Sequence, residues 1–157
     1  MNRSFKQDNQ FGLNQEREII PILEKYFKEK IIPSQYKYEK YDGASDTAVY
    51  EIKSRTNASN AFTETLIGAN KVIPNCSKIQ RFVFNFTDGI YYIEYDKELF
   101  DTFDNSCFVR DPRIDYKDEV RTYYYIPVKK LILIESKVSK SNSIYNQLTK
   151  GVCLIKI

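Results

Sequence analysis

The sequence predicts one α/β domain of the α+β kind, a central mixed β-sheet flanked by helices with extra strands toward the C-terminus. Three observations predict it. The chain has 157 residues, the length of one domain with a single core. Its composition, 42% apolar and 15% aromatic, is that of a globular protein. The hydrophobic period also changes along the chain, from a helical repeat before residue 30 to alternating, strand-like runs after it. No internal repeat or defensible boundary divides residues 1–157.

Residues 1–11 read as a polar lead-in. A helix is predicted from Leu13 to Lys30, with Asn14 as cap and Ile19, Ile20, Ile22, Leu23, Tyr26 and Phe27 as a broad apolar stripe. At about 100° per residue, Glu16 falls near the middle of that stripe and Glu18 roughly opposite it. A carboxylate on an inner face is costly unless it is paired or binds a metal. The alternative is that Glu16 lies one turn beyond the core and stays solvated. Pro21 falls on the outer face, where it removes one backbone bond and should kink the helix.

Ile31 to Ser34 closes the helix. Alternation at Tyr36, Tyr38 and Lys40 predicts a strand ending near Asp42. Gly43 to Thr47 supplies turn residues. Ala48 to Arg55 is the returning strand, with Ala48, Tyr50 and Ile52 on one face and Val49, Glu51 and Lys53 on the other. A hairpin of this length sets Asp42 across from Glu51. Phe62, Leu66, Ala69 and Ile73 recur at helical spacing and predict a helix over Thr63 to Val72, ended by Pro74. Arg81 to Phe86 is a strand, Thr87-Asp88-Gly89 a hairpin signal, and Ile90 to Tyr95 the return. Leu99 to Phe103 reads as a short helix and Cys107 to Val109 as a strand. Arg110 to Glu119 is a charged loop. Thr122 to Val128 and Leu131 to Ile134 are strands broken by Pro127, 136–143 is a flexible Lys/Ser-rich loop, and Val152 to Ile157 an edge strand.

The composition removes whole chemistries. The chain has no His. Ser-His-Asp and Cys-His nucleophiles, His-ligated zinc and His general bases are therefore excluded. What remains is catalysis on carboxylates, Lys, Tyr or Arg, and carboxylates without His suit hard, oxygen-ligated metals, Mg²⁺ above all. Three widely spaced Cys with no CxxC argue against a zinc site or disulfide scaffold and suit a reducing compartment. The polar start is no signal peptide, and no apolar run approaches the ~20 residues of a membrane span. The expectation is an intracellular protein that is not secreted and has no membrane partner. A net charge of +3 is only weak support for nucleic acid.

The stretch from Tyr41 to Arg55 carries the chemistry. Hydrolysis of a phosphodiester needs a metal, a group that orients or deprotonates water, and a cation for the developing charge. Asp42 and Glu51 on adjacent strands could hold Mg²⁺. Lys53 shares the face of Glu51 because the strand period is two. The carbonyl of Ile52 could complete the metal shell, and Glu16 could add a carboxylate. Asp46 competes with Asp42 for the first role, but the nine-residue step from Asp42 to Glu51 leaves room for a turn, inside which Asp46 would sit. The bland alternative is a solvated Glu/Lys face on an edge strand, worth little energetically.

Asp42 followed by Glu51-Ile52-Lys53 resembles the motif of the PD-(D/E)XK nuclease superfamily, with its restriction endonuclease-like core. The order of elements is similar too, over roughly Gly12 to Tyr95: a leading helix with an acid, a hairpin bearing the motif, then a helix and further strands. Tyr41 stands where the motif has Pro. The resemblance implies a Mg²⁺-dependent DNA endonuclease, with Mn²⁺ able to substitute, in which Asp42, Glu51 and Glu16 bind metal and Lys53 handles the attacking water. An alternative on the same fold is a catalytically inactive nucleic-acid-binding module. A homodimer is expected if both strands are cut.

For DNA contact the candidates are Arg55 and Lys71, with Asn57 and Thr63 behind them. A helix starting at Thr63 could turn its N-terminus to a phosphate. Tyr123 to Tyr125 could stack on bases or simply form a half-buried strand. Lys129, Lys130 and the lysines of 137–140 could track the backbone or be solvated.

Overall fold

The computed structural model describes residues 5–36, 39–109 and 120–137, with side chains described over 15–36, 39–107 and 121–137. The first helix, α1, spans Phe5–Phe27. It starts earlier than the apolar stripe suggests. No proline stands between Phe5 and Leu13, and a helix once nucleated extends cheaply. It also ends earlier, because Lys28 takes a left-handed φ of 55° that caps the last turn. Ile19, Ile20 and Leu23 are buried, while Pro21 lies on the exposed face as its position on the helical wheel requires.

The strands form two sheets. Sheet one contains β1 (Ile32–Pro33), β2 (Gly43–Ala44), β3 (Ala48–Ser54), β5 (Ile79–Asn85), β6 (Gly89–Glu94) and β9 (Ile132–Ser136), in that spatial order. Only β3 and β5 run parallel. Sheet two is antiparallel and contains β4 (Glu64–Gly68), β8 (Val120–Pro127) and β7 (Asp104–Val109), in that order. A short helix, α2 (Lys97–Asp101), follows β6, with the Asp96 side chain accepting from the Leu99 N–H at its start. The hairpin at Thr87 to Gly89 forms where it was expected.

The predicted strand over Tyr36 to Lys40 does not form at Tyr36, which is exposed and has no buried face to serve. Tyr38 lies outside the described residues, as do Arg110 to Glu119, the loop beyond Lys137 and Val152 to Ile157. The predicted helix over Thr63 to Val72 is overturned. That stretch is strand β4 followed by a 3-10 turn at Ala69–Lys71. The helical stripe that suggested it never buries: Phe62 is 66% exposed, whereas Thr65 and Ile67, two apart, are buried. Period two wins because β8 pairs along the whole of β4, with Leu66 opposite Tyr125. The helix N-terminus suggested for phosphate binding is therefore absent.

The alternation of β3 and β5 builds two cores. On one face, Ala48, Tyr50, Ile52 and Val83 pack against Ile19, Ile20 and Leu23 of α1. On the other, Phe82, Phe84 and Phe86 pack with Ile67, Phe100 and Ile126. The domain is thus α+β, but a helix covers one face of the central sheet and a second sheet with α2 covers the other. Each fully buried Phe or Leu contributes roughly 1.5–3 kcal/mol. Glu51, Lys53 and Arg55 share the phenylalanine side of β3, so polar groups enter a face that is otherwise apolar.

Candidate active site

The site exists because β2 is short. It pairs with β3 only through Gly43 opposite Tyr50 and Ala44 opposite Val49. Gly43 packs closely here: a Cβ would lie 3.0 Å from the Ile31 side chain, which would have to shift. One residue earlier, the Asp42 N–H donates to the Tyr50 carbonyl at 2.8 Å. Beyond that bond the outer edge of β3 has no strand beside it. The Ile52 N–H on this edge donates instead to Asp42 Oδ2 at 2.7 Å. Asp42 is thereby pinned beside the strand, and the Ile52 carbonyl faces the same open edge as its N–H.

Glu51 is 4% exposed. Its Oε1 accepts from Lys53 Nζ at 2.8 Å and from Lys71 Nζ at 3.2 Å. Its Oε2 is buried and has no partner among the described residues. A buried carboxylate oxygen in that state is costly and marks a place where folding alone did not choose the residue. The Asp42 carboxyl is pushed up to about 6, first by burial and then by the charge of Glu51, with the Ile52 N–H and the two lysines opposing. The Glu16 carboxyl is pushed up to about 7, by burial and then by Asp42 and Glu51. Glu16 therefore belongs to the same electrostatic cluster, while Glu18 is exposed. Asp46 is exposed in the turn between β2 and β3, on the wall of another cavity with Thr47 and Lys78.

Lys71 was expected to reach DNA. The 3-10 turn after β4 instead carries its ammonium onto Glu51. Reading 63–72 as a helix hid this, because a helical Lys71 faces solvent. Arg55 also turns inward: its Nη2 donates to the Leu66 carbonyl at 2.5 Å and its Nε to Thr65 Oγ1 at 3.4 Å. It ties the end of β3 to β4, and burial disfavours its charge. Arg55, Asn57 and Thr63 line one cavity of about 460 Å³ beside the carboxylates' strand. Of the tyrosines, Tyr124 packs on the phenylalanine core and Tyr125 lines that cavity. Lys129 and Lys130 are exposed, and Lys137 hydrogen-bonds Asn85.

A second polar cluster escaped the sequence reading. Glu29 accepts from Ser45 Oγ at 2.7 Å, Thr47 Oγ1 at 2.6 Å, Tyr50 OH at 2.5 Å and Arg81 Nη1 at 3.1 Å. Arg81 also donates to Tyr50 OH at 2.7 Å, reaches Glu94 at 3.2 Å and lies 3.9 Å from the Phe27 ring centre. Burial alone would raise the Glu29 carboxyl. Hydrogen bonds from Thr47, Tyr50 and Ser45, with the Arg81 charge, outweigh it and hold the group below its ordinary range.

Among the described residues, no group of three or more His, Cys, Asp or Glu side chains is arranged to hold a metal ion as it stands. The donor chemistry of the first cluster nevertheless suits a hard cation: oxygens only, with Glu51 Oε2 unpartnered and Asp42 Oδ1 outside every hydrogen bond of the described residues. Among the described residues, no helix is long and apolar enough to cross a membrane. Comparison with protein families, with curated proteins and with solved structures finds no match.

Proposed function

We propose that the protein is a Mg²⁺-dependent DNA endonuclease of the PD-(D/E)XK type. The observation that carries this reading is Glu51: a buried carboxylate with one unpartnered oxygen, flanked by Asp42 and Lys53 at an edge of β3 that β2 leaves open. Asp42, Glu51 and Glu16, with the Ile52 carbonyl, would hold the metal. When bound, Mg²⁺ supplies the charge that polarises a phosphoryl oxygen and lowers the pKa of a water. Lys53 orients the attacking water and offsets charge on the phosphate, and Lys71 adds a second cation at the same carboxylate. Water attacks phosphorus and gives up a proton to solvent, the bond to the leaving oxygen breaks, and that oxygen takes up a proton from solvent. Cutting both strands would engage a homodimer.

Supercoiled plasmid with Mg²⁺ tests the reading. Wild type should nick it, Mn²⁺ should substitute, and Lys53→Ala should lower the rate roughly 100-fold or more. Asp46→Ala should cut normally. Failure of wild type to cut double-stranded, single-stranded and branched DNA would overturn it, as would full activity in Lys53→Ala. One observation favours a second reading, a DNA-binding module without catalysis: two ammonium groups already neutralise Glu51. DNA binding without cleavage under every divalent metal would establish that one.

A further inference from the structure

The cavity of about 460 Å³ between the end of β3 and sheet two lies within the usual range of ~300–1,000 Å³ for a small-ligand site. Three of its features suit a ligand. Phe62 stands on its wall and is 66% exposed, although a phenylalanine there stabilises no core. Arg55 points into the protein with a carbonyl, a hydroxyl and the Phe84 ring, 5.8 Å away, as partners and no carboxylate ion pair among the described residues. Glu64 shares the cavity without pairing to Arg55, so the space offers a carboxylate, a guanidinium and the Asn57 amide beside aromatic walls. Of the other two aromatics on the lining, Phe86 is buried in the core and Tyr125 is held by a 2.6 Å hydrogen bond between its hydroxyl and Ser106 Oγ.

That set matches a planar, uncharged group that both donates and accepts hydrogen bonds. A free phosphate fits poorly, because Glu64 would oppose it. A nucleobase fits: two aromatic surfaces accept its π-face, Glu64 accepts from a ring N–H such as thymine N3–H or from an exocyclic amine, and Arg55 and Asn57 serve its carbonyl acceptors. The placement adds to this. Arg55 follows Lys53 by two residues on the same run of chain, about 7 Å along a strand. A strand of DNA with its scissile phosphate at Glu51 and Lys53 would bring a neighbouring base to the cavity mouth.

We propose that this cavity takes one unstacked base of the DNA strand bound at the carboxylate cluster, stacked on Phe62. The inference rests on the nuclease reading, since the cluster supplies the register. It makes single-stranded or locally opened DNA the preferred substrate, because an unpaired base enters without the cost of leaving a duplex.

Binding without metal separates the two ideas. A short oligothymidylate and an abasic strand with the same number of phosphates would be titrated in EDTA against wild type, Phe62→Ala and Phe62→Tyr. Phe62 is exposed, so its replacement leaves the fold intact. Wild type should bind the thymidylate more tightly than the abasic strand. Phe62→Ala should lose roughly tenfold on the thymidylate and nothing on the abasic strand, and Phe62→Tyr should keep wild-type affinity. Equal losses on both strands, or no loss on either, would overturn the base site and leave the nuclease reading standing. A fall in melting temperature without a change in DNA affinity would show that the chain itself fills the cavity, and would also overturn it. Absence of all DNA binding by wild type, in EDTA and with Ca²⁺ or Mg²⁺ alike, would remove both proposals.

Discussion

Tyr50 and Glu51 are neighbours on one strand, point to opposite faces, and end in opposite kinds of cluster. On the helix side, Tyr50 joins Glu29 and Arg81 in a network where each acceptor has its donor, and the Glu29 carboxyl sits below its ordinary range. On the other side, Glu51 keeps an orphaned oxygen, and the nearby Asp42 and Glu16 carboxyls are pushed up to about 6 and about 7. Burial is deeper around Asp42 and Glu16 than around Glu29 and is the first cause of their rise. Partnership is the second. The first cluster carries enough hydrogen bonds to outweigh desolvation, whereas the second crowds acids against one another with two lysines as counter-charge. A network in which every group is satisfied serves the fold. One left strained among consistent surroundings is where function is expected.

Substitution should separate the two clusters cleanly. Glu51→Gln is expected to lower DNA cleavage by roughly 1,000-fold while leaving the chemical denaturation midpoint near wild type. Arg81→Ala should do the reverse. It removes one of four donors from the half-buried Glu29 and the Arg81 contacts to Glu94 and Phe27, and should cost about 2 kcal/mol of stability in denaturant titration, with cleavage per folded molecule unchanged. If Glu51→Gln instead unfolds the protein and Arg81→Ala abolishes cutting, the two assignments are exchanged.

The clusters should also respond oppositely to pH. Glu16 and Asp42 have folded-state values raised above their unfolded ones, so the folded protein holds those protons more tightly. Their stabilising contribution is complete below the ordinary carboxylate range and is lost as pH rises through about 6 and about 7. Glu29 is lowered, so its contribution is present above the ordinary carboxylate value and is lost as pH falls below that value through the lower folded one. In EDTA the melting temperature should therefore drop between about pH 5 and about pH 8. The double variant Glu16→Gln, Asp42→Asn should flatten that slope, and Mg²⁺ should restore stability at the alkaline end by binding the ionised acids. The smallest effect is expected from Thr47→Ala, which removes one of several bonds to Glu29 and should cost about 1 kcal/mol in the same denaturant titration.

What was legible in the sequence is what short-range rules control. The strand period puts Glu51 and Lys53 on one face, the turn length brings Asp42 opposite, and the helical period turns Glu16 inward. Each depends on residues within one element or one hairpin. What was not legible depends on partners far along the chain. Residues 63–72 carry an apolar repeat that fits a helix, and only β8, some sixty residues later, makes the stretch a strand. With that misread, Lys71 could not be placed on Glu51, nor Arg55 against Leu66. Glu29 read as an ordinary residue of a helix end, because its partners Tyr50 and Arg81 come from β3 and β5. The second sheet as a cover for the central one was equally hidden, since nothing local says which strands share a sheet.

The central claim is that the Glu51 cluster, and not the Glu29 cluster, is built for a divalent cation. Mn²⁺ binding followed by electron paramagnetic resonance tests it most directly, using wild type, Asp42→Ala, Glu51→Gln and Thr47→Ala at about pH 8, with an oligonucleotide present. Saturable binding to wild type and Thr47→Ala, with roughly tenfold or greater weakening in Asp42→Ala and Glu51→Gln, is the predicted result. Equal affinity in all four proteins, or no binding to wild type, would contradict it.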